Sequence, residues 1–402
     1  MSNLLYQNLY RAYFSARKDK RSKSEVLKFE LNYENEIEKL YQDIINQKYT
    51  PSPTRVFVTH KPVKREIFAP QFRDRVVHHL IYNYIYQYLD AKFIYDSYSC
   101  REGKGTLFGI ERAKRFMRKA SHNYTRDAYV LKLDIRGYFM NINRGILYDK
   151  IIQMIDFRKL NITDTEIQIL QYLIKVVSLH NAAIDAIKCS PIHYWEDIPA
   201  SKSLFCTASN CGLPIGSLTS QLFSNVYMND IDHQIKARFK YYGRYVDDLL
   251  LVDCDKEKLL NMVPWINQQL QKIALRLNPR KIYLQHYTKG FYFLGQYIKP
   301  NRTYISNRIK KYFHICIEQV NKQLKNITTA ENSLEILATI ENTLNAYFGL
   351  LSKANTHNYV QYMMGKITPT LYEYMELCFV SERNQMKVNL KQDLKLLIAH
   401  SP

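Results

Sequence analysis

Residues 241–252 read YYGRYVDDLLLV, and the adjacent pair Asp247 and Asp248 constrains this chain more than any other feature. At ~5 Å and an effective dielectric of about 20, two carboxylates repel by roughly 3 kcal/mol. Their flanks, Tyr245-Val246 and Leu249 to Val252, have the apolar character of core strands. The stretch predicts strand, tight turn, strand at a sheet edge, with both carboxylates reaching solvent. Aspartate tolerates the backbone angles such turns need. Left unpaired, the two charges oppose folding; divalent cations invert that cost. Mg²⁺ is a hard ion held by one or two carboxylates plus substrate phosphate. Two such ions about 3.5–4 Å apart stabilise the attacking and leaving oxygens of an in-line phosphoryl transfer.

Such a site needs a further carboxylate from another strand. AYVLKLDIRGYF (128–139) reads as a strand running into a turn. Leu131, Leu133 and Ile135 share one face, so Lys132 and Asp134 share the other. Asp134, at the strand end and facing away from the core, is the candidate. A DD pair alone is common by chance. A strand-borne Asp, a Gly/Pro loop before a helix, and then a tyrosine-led DD hairpin is a much more specific order.

The composition fits a nucleic-acid-binding protein. The 402 residues are 46% hydrophobic, enough for two or three domains with a sizeable core. Lys and Arg outnumber Asp and Glu by 57 to 37, a formal charge of +20, which favours a polyanionic partner, nucleic acid before membrane. No apolar run reaches the ~18 residues of a membrane span, and the first residues lack a signal-like apolar core. Seven cysteines without a CxxC spacing point away from a disulfide framework or zinc knuckle. The expectation is a cytoplasmic, nucleic-acid-binding protein with no membrane partner.

Along the chain, Ile37, Leu40, Tyr41, Ile44 and Ile45 follow helical spacing, and prolines 51 and 53 stop that helix. RVFVTHKPVKREIFAP (55–70) reads as a hairpin, and Val76 to Leu89 as a long helix carrying His78 and His79 in packing or surface roles. Residues 146–204 read as mostly helical with a loop-like end. The stretch from 210 begins as a Gly/Pro loop, after which Thr219 or Ser220 caps a helix. Residues 256–276 read as a helix. After Lys299 the chain reads as a separate helical, basic unit beginning near residue 300.

At this point the residues resemble a family. Asp134 in LKLDIRGYF, GLPIGSLTSQ at 212–221 and YVDD at 245–248 resemble the palm motifs of reverse transcriptases. KPVKREIFAPQFRDRVVHHLI resembles the fingers hairpin and following helix, while LNPRK (277–281) and FYFLG (291–295) resemble later palm motifs. The similarity covers roughly residues 20–350. RDRVVHH, DSYSCREGKGT, LPIGSLTSQLFSNVYMNDIDH and YFGLLSKANTHN (347–358) further resemble reverse transcriptases of diversity-generating retroelements, which copy a template RNA with errors at adenines so that the cDNA replaces part of a target gene. Retron-type or abortive-infection-type enzymes are the alternative, and a catalytically silent RNA-binding protein is a second.

The resemblance implies an α+β right-hand polymerase with an antiparallel palm sheet and a helical thumb. Its parts are an N-terminal segment and fingers (1–124), a palm (125–299, with a helical insertion at about 156–204), and a thumb and tail (300–402). It implies that Asp134, Asp247, Asp248 and the Ile135 carbonyl hold two Mg²⁺ ions. It places Lys61, Lys64, Arg65, Ile135, Phe139, Ile215, Gly216 and Gln221 at the incoming dNTP. Phe139 matches a steric gate against ribose, and Arg65 is the best candidate to bridge two phosphate oxygens. Lys281 either protonates pyrophosphate or is a surface lysine. Ile215 stands where many relatives carry a Gln. Implied partners are template RNA, the RNA/DNA duplex, dNTPs and a small basic accessory variability protein.

Overall fold

The computed structural model describes residues 3–60, 63–327, 333–380 and 385–394. Two compact units emerge from the packing: one runs through Phe116 and resumes over Ala128–Leu284, and the other comprises Met117–Asp127 and the chain from Gln285.

In the first unit, α1 (Asn3–Arg17), α2 (Ser24–Glu30) and α3 (Tyr33–Ile45) lead into the hairpin of β1 (Arg55–Thr59) and β2 (Arg65–Ala69). The long α4 (Phe72–Asp90) and then α5 (Thr106–Ala120) precede β3 (Tyr129–Asp134). Next come α6 (Tyr138–Asn141), α7 (Arg144–Met154), α8 (Asp164–Leu179) and the two-residue β4 (Ile187–Lys188). Helix α9 (Leu218–Arg238), the hairpin of β5 (Tyr242–Tyr245) and β6 (Asp248–Asp253), α10 (Lys256–Gln271) and β7 (Tyr283–His286) follow.

Strands order as β5-β6-β3-β7, with β3 and β5 both antiparallel to β6. Leu131, Leu133, Leu249 and Leu251 join the same core as Val76, Val77, Leu80 and Ile81 of α4 and Leu222, Val226 and Ile231 of α9. Helices α4 and α9 bury residues on nearly every side, as central helices must. The β1–β2 hairpin forms as expected; its register runs from Arg55↔Ala69 to Thr59↔Arg65.

Several expectations from sequence are corrected. The pair Asp247 and Asp248 does not lie at a sheet edge: β6 is an inner strand, and the aspartates sit at strand ends. Ser217, not Thr219 or Ser220, stands at the N-cap of α9, and its hydroxyl is spent on His78 Nδ1 at 2.7 Å instead of the helix backbone. Thr219 Oγ1 also reaches that nitrogen, at 3.0 Å. The stretch up to residue 204 is, as expected, mostly helical with a loop-like end: α8 closes at Leu179, short 3₁₀ turns follow, and β4 pairs in parallel with β1. Helix α8 is core and no appendage: Ile169, Leu170, Leu173 and Ile174 pack with α4 residues. Helix α10 ends at Gln271, short of 276, and Ala274 turns to φ +57°.

The second unit opens with the antiparallel strands β8 (Phe291–Phe293), β9 (Gln296–Lys299) and β10 (Arg302–Ile305). Helices α11 (Asn307–Lys325), α12 (Leu334–Leu351), α13 (His357–Met364) and α14 (Leu371–Tyr374) follow, and a hairpin of β11 (Met375–Val380) and β12 (Gln385–Leu390) completes it. The segment after Lys299 is therefore helical apart from β10 and this hairpin. Phe313, Ile317, Leu344, Phe348, Met375 and Val388 share its core. Asn355, in LSKANTHN, pins β10 from both sides: its N–H donates to the Thr303 carbonyl at 2.9 Å, and its side-chain oxygen accepts from Thr303 N–H at 2.8 Å. Among the described residues no helix is long and apolar enough to cross a membrane.

Candidate active site

Register pairs Tyr245 with Asp248, leaving Val246 and Asp247 as a two-residue turn. Val246 has φ +55°. That first central position is glycine's place in such turns, and a β-branched residue there is strained by about 1–3 kcal/mol. The strain thus falls on Val246, whereas the sequence pointed to aspartate. Arg244 holds it. The guanidinium is fully buried and donates through Nη1 to the Val246 carbonyl at 3.0 Å. Its other face grips Asp232 of α9, Nε to Oδ1 at 2.8 Å and Nη2 to Oδ2 at 2.7 Å. Tyr242 Oη donates to the same carboxylate at 2.6 Å. A central helix therefore anchors the turn that presents the aspartates.

Asp134 ends β3 directly across from Asp248, and the Ile135 N–H donates to the Asp247 carbonyl at 3.0 Å. The three aspartates so meet at neighbouring strand ends. Asp134 is buried, although strand alternation pointed it away from the core: Lys281 Nζ donates to its Oδ2 at 2.7 Å and Asn278 Nδ2 to its Oδ1 at 3.2 Å. Lys132 Nζ lies 3.1 Å from Asp248 Oδ1. Burial, then the charges of Asp248 and Asp134, push the Asp247 carboxyl up to about 6. Burial pulls the Lys281 ammonium down, but its hydrogen bond to Asp134 and the charges of all three aspartates outweigh this and leave it raised. One ammonium thus senses all three carboxylates.

Among the described residues no three His, Cys, Asp or Glu side chains are already disposed as a metal cage. Lysines occupy two of the three carboxylates instead. The donor set nonetheless fits a hard divalent ion, because its oxygens are carboxylate and Asp247 is short of positive charge. Lys281, with its side chain 60% exposed, has room to swing off Asp134.

A second group of expected residues gathers around β2. Phe139 and Ile215 pack against one apolar cluster of Val56, Phe68, Met140, Ala182 and Leu204. The Ile215 carbonyl accepts from Phe68 N–H at 2.8 Å. Gly216 has φ +121°, and a Cβ there would stand 2.7 Å from the Phe68 carbonyl oxygen, so only glycine lets the loop lie this close. Arg65 is exposed at the start of β2, while Lys64 pairs with Asp197 at 3.1 Å. Lys61 lies outside the described residues. Gln221 is exposed on α9 and lines an open groove with Tyr82, Cys100 and Leu218.

Three supporting residues escaped the sequence reading. Lys132 carried a signal, since strand alternation puts it on the face of Asp134. Arg244 is a charge in an otherwise apolar strand, and that anomaly pointed to a buried partner. Arg144 gave no signal; buried, it donates through Nη1 to the carbonyls of Cys211 and Gly212 at 2.5 and 3.2 Å, fixing the loop before α9.

Residues 60–298, more than half the chain, match the family model described as reverse transcriptase (RNA-dependent DNA polymerase). The chain belongs to the reverse transcriptase family. The fold is accordingly the α+β right-hand polymerase, and its antiparallel sheet carries the aspartates. Reverse transcriptase domains generally use divalent metal ions. This reverse transcriptase is 22% identical over 308 residues to Protein YkfC of Escherichia coli (strain K12), covering 67% of this chain and 72% of that one. Solved structures with similarity include apo telomerase from Candida tropicalis (14% identity, TM-score 0.45, 82% of this chain and 64% of that chain). Telomerase from Candida albicans in complex with a TWJ fragment of telomeric RNA is another (13% identity, TM-score 0.43, 86% and 64%). The chain spans less than two thirds of the length of these two telomerase chains.

Proposed function

We propose that this reverse transcriptase is an RNA-directed DNA polymerase that uses two Mg²⁺ ions and serves a diversity-generating retroelement. The observation that carries the polymerase reading is that Asp134, Asp247 and Asp248 meet at neighbouring strand ends, Asp134 directly across from Asp248 and the Ile135 N–H on the Asp247 carbonyl. Asp134, Asp247, Asp248 and the Ile135 carbonyl would hold the ions. Bound there, they supply the charge that lowers the pKa of the primer 3′-hydroxyl and steadies the departing pyrophosphate. Lys281, displaced from Asp134, becomes the nearby ammonium that can hand a proton to pyrophosphate. Arg65 bridges triphosphate oxygens from the exposed face of β2, and Lys61 and Lys64 add charge. Phe139 meets the sugar and rejects a 2′-hydroxyl. Positioning and charge do most of the work, as in phosphoryl transfer generally.

The intact triad speaks against a silent RNA-binding role. The test is primer extension: the purified protein, an RNA template, a DNA primer, dNTPs and Mg²⁺ should yield labelled DNA that EDTA abolishes. No incorporation under any divalent ion would overturn the reading.

The diversity-generating assignment rests on the motif resemblance, and so does a basic accessory protein as partner. Ile215 gives it a physical handle. Its side chain packs on the apolar cluster and offers no hydrogen bond to the nucleotide, a loss of ~1 kcal/mol for the correct pair, about tenfold or less in discrimination. The bias toward adenine itself rests on the resemblance. Sequencing cDNA made on the cognate RNA should show errors concentrated at template adenines, reduced by Ile215→Gln. A uniform, low error spectrum would favour a retron or abortive-infection type.

A further inference from the structure

Residues 187–206 have no periodic pattern and no obvious chemistry, yet five separate contacts tie them to the β1–β2 hairpin. Strand β4 pairs in parallel with β1 through Arg55↔Ile187 and Val56↔Lys188. Ser190 Oγ accepts from Val58 N–H at 3.0 Å. Asp197 pairs with Lys64. The Phe205 ring lies 5.5 Å from that of Phe68. The fifth contact is the most telling. Glu66, on β2, is 2% exposed and accepts from Ser203 Oγ at 2.6 Å and from Leu204 N–H at 2.8 Å. A buried carboxylate is retained only where its partners hold it well.

Strand alternation explains the consequence. Glu66 and Phe68 face inward while Arg65 and Ile67 face the other way, so fixing one face of β2 aims the other. The opposite edge of β2 is fixed as well, by the Ile215 carbonyl on Phe68 N–H. Phe139 packs on the cluster that Leu204 completes. We propose that residues 187–206 are a brace that sets the nucleotide-binding edge of the hairpin, with Glu66 as its positioning residue. The inference rests on the reading of Arg65 as a triphosphate ligand.

Steady-state primer extension with the full chain tests it, with dNTP KM, kcat and primer–template Kd measured together. Glu66→Ala should raise dNTP KM about tenfold while kcat and primer–template Kd change less than about twofold, the pattern of lost ground-state positioning. Glu66→Gln keeps an oxygen for the Leu204 N–H and should bring KM back to within about threefold of wild type. A merely structural role would lower kcat, through fewer active molecules, at unchanged KM, and would overturn the proposal. If Glu66→Ala does not fold, Ser203→Ala carries the test from the other side of the bond, and an unchanged KM there overturns the brace. Arg65→Ala separates the two readings. If it leaves dNTP KM unchanged, the nucleotide site itself is misplaced and the brace falls with it. If it raises KM while Glu66→Ala does not, the brace alone is wrong.

Discussion

Asp247 is where stability and the proposed chemistry conflict. Its folded pKa is raised from an ordinary 3.8 to about 6, so the folded state favours the neutral acid. Ionisation at neutral pH therefore weakens folding, and the loss grows as pH rises from 4 to 6. The penalty is about 1–3 kcal/mol once partial solvation is allowed for. Asp247→Asn should raise the unfolding free energy of the metal-free protein by that amount at pH 7.5, in denaturant titration, while abolishing DNA synthesis. Lower stability in the variant would contradict the electrostatic reading. Arg244→Ala should cost about 3–5 kcal/mol, because it strands the Asp232 carboxylate in the core; a loss under 1 kcal/mol in the same titration would show that the clamp carries little. The three aspartates were legible from order and strand pattern alone. Val246 was not: which turn residue takes the positive φ depends on a buried guanidinium anchored to Asp232 of the preceding helix α9.

At the scale of elements, α4 and α9 meet through their shared apolar core and at His78, whose Nδ1 lies within hydrogen-bond distance of the Ser217 and Thr219 hydroxyls. Burial above all, with help from His79, His180 and Arg75, lowers its pKa to about 3. A histidine with a depressed folded pKa stabilises fully above its unfolded value of 6.5 and loses that contribution as pH falls toward 3. Between pH 6.5 and 5 the loss is about 2 kcal/mol. Unfolding at pH 7.5 and 5.0 should show it, and His78→Gln should flatten the difference; an equally steep loss in the variant would place the acid sensitivity elsewhere. The helices α3 and α4 and the β1–β2 hairpin were legible because each repeats a regular apolar period. The N-cap of α9 was misread because two hydroxyls turned to a histidine from another helix. Residues 180–206 were legible only as a loop-like end, because their order comes from the hairpin they grip and no period marks it.

For the whole molecule, the formal charge of +20 predicts nucleic-acid binding dominated by phosphate contacts. Affinity for an RNA/DNA primer–template should fall at least tenfold between about 50 and 200 mM salt, in anisotropy titrations; a flat response would argue against a backbone-tracking surface. Charge and length were readable at once, but the division of the chain at Leu284 was not, because it runs through a strand and no linker marks it. The central claim is that three aspartates act together at the reacting phosphate. Single-turnover primer extension with Asp134→Ala, Asp247→Ala and Asp248→Ala, each paired with a primer–template Kd on the same sample, tests it most directly. Each variant should lose DNA synthesis by a factor of about 10³ or more while binding primer–template within about twofold of wild type. Synthesis within tenfold of wild type in any one of them would contradict the claim.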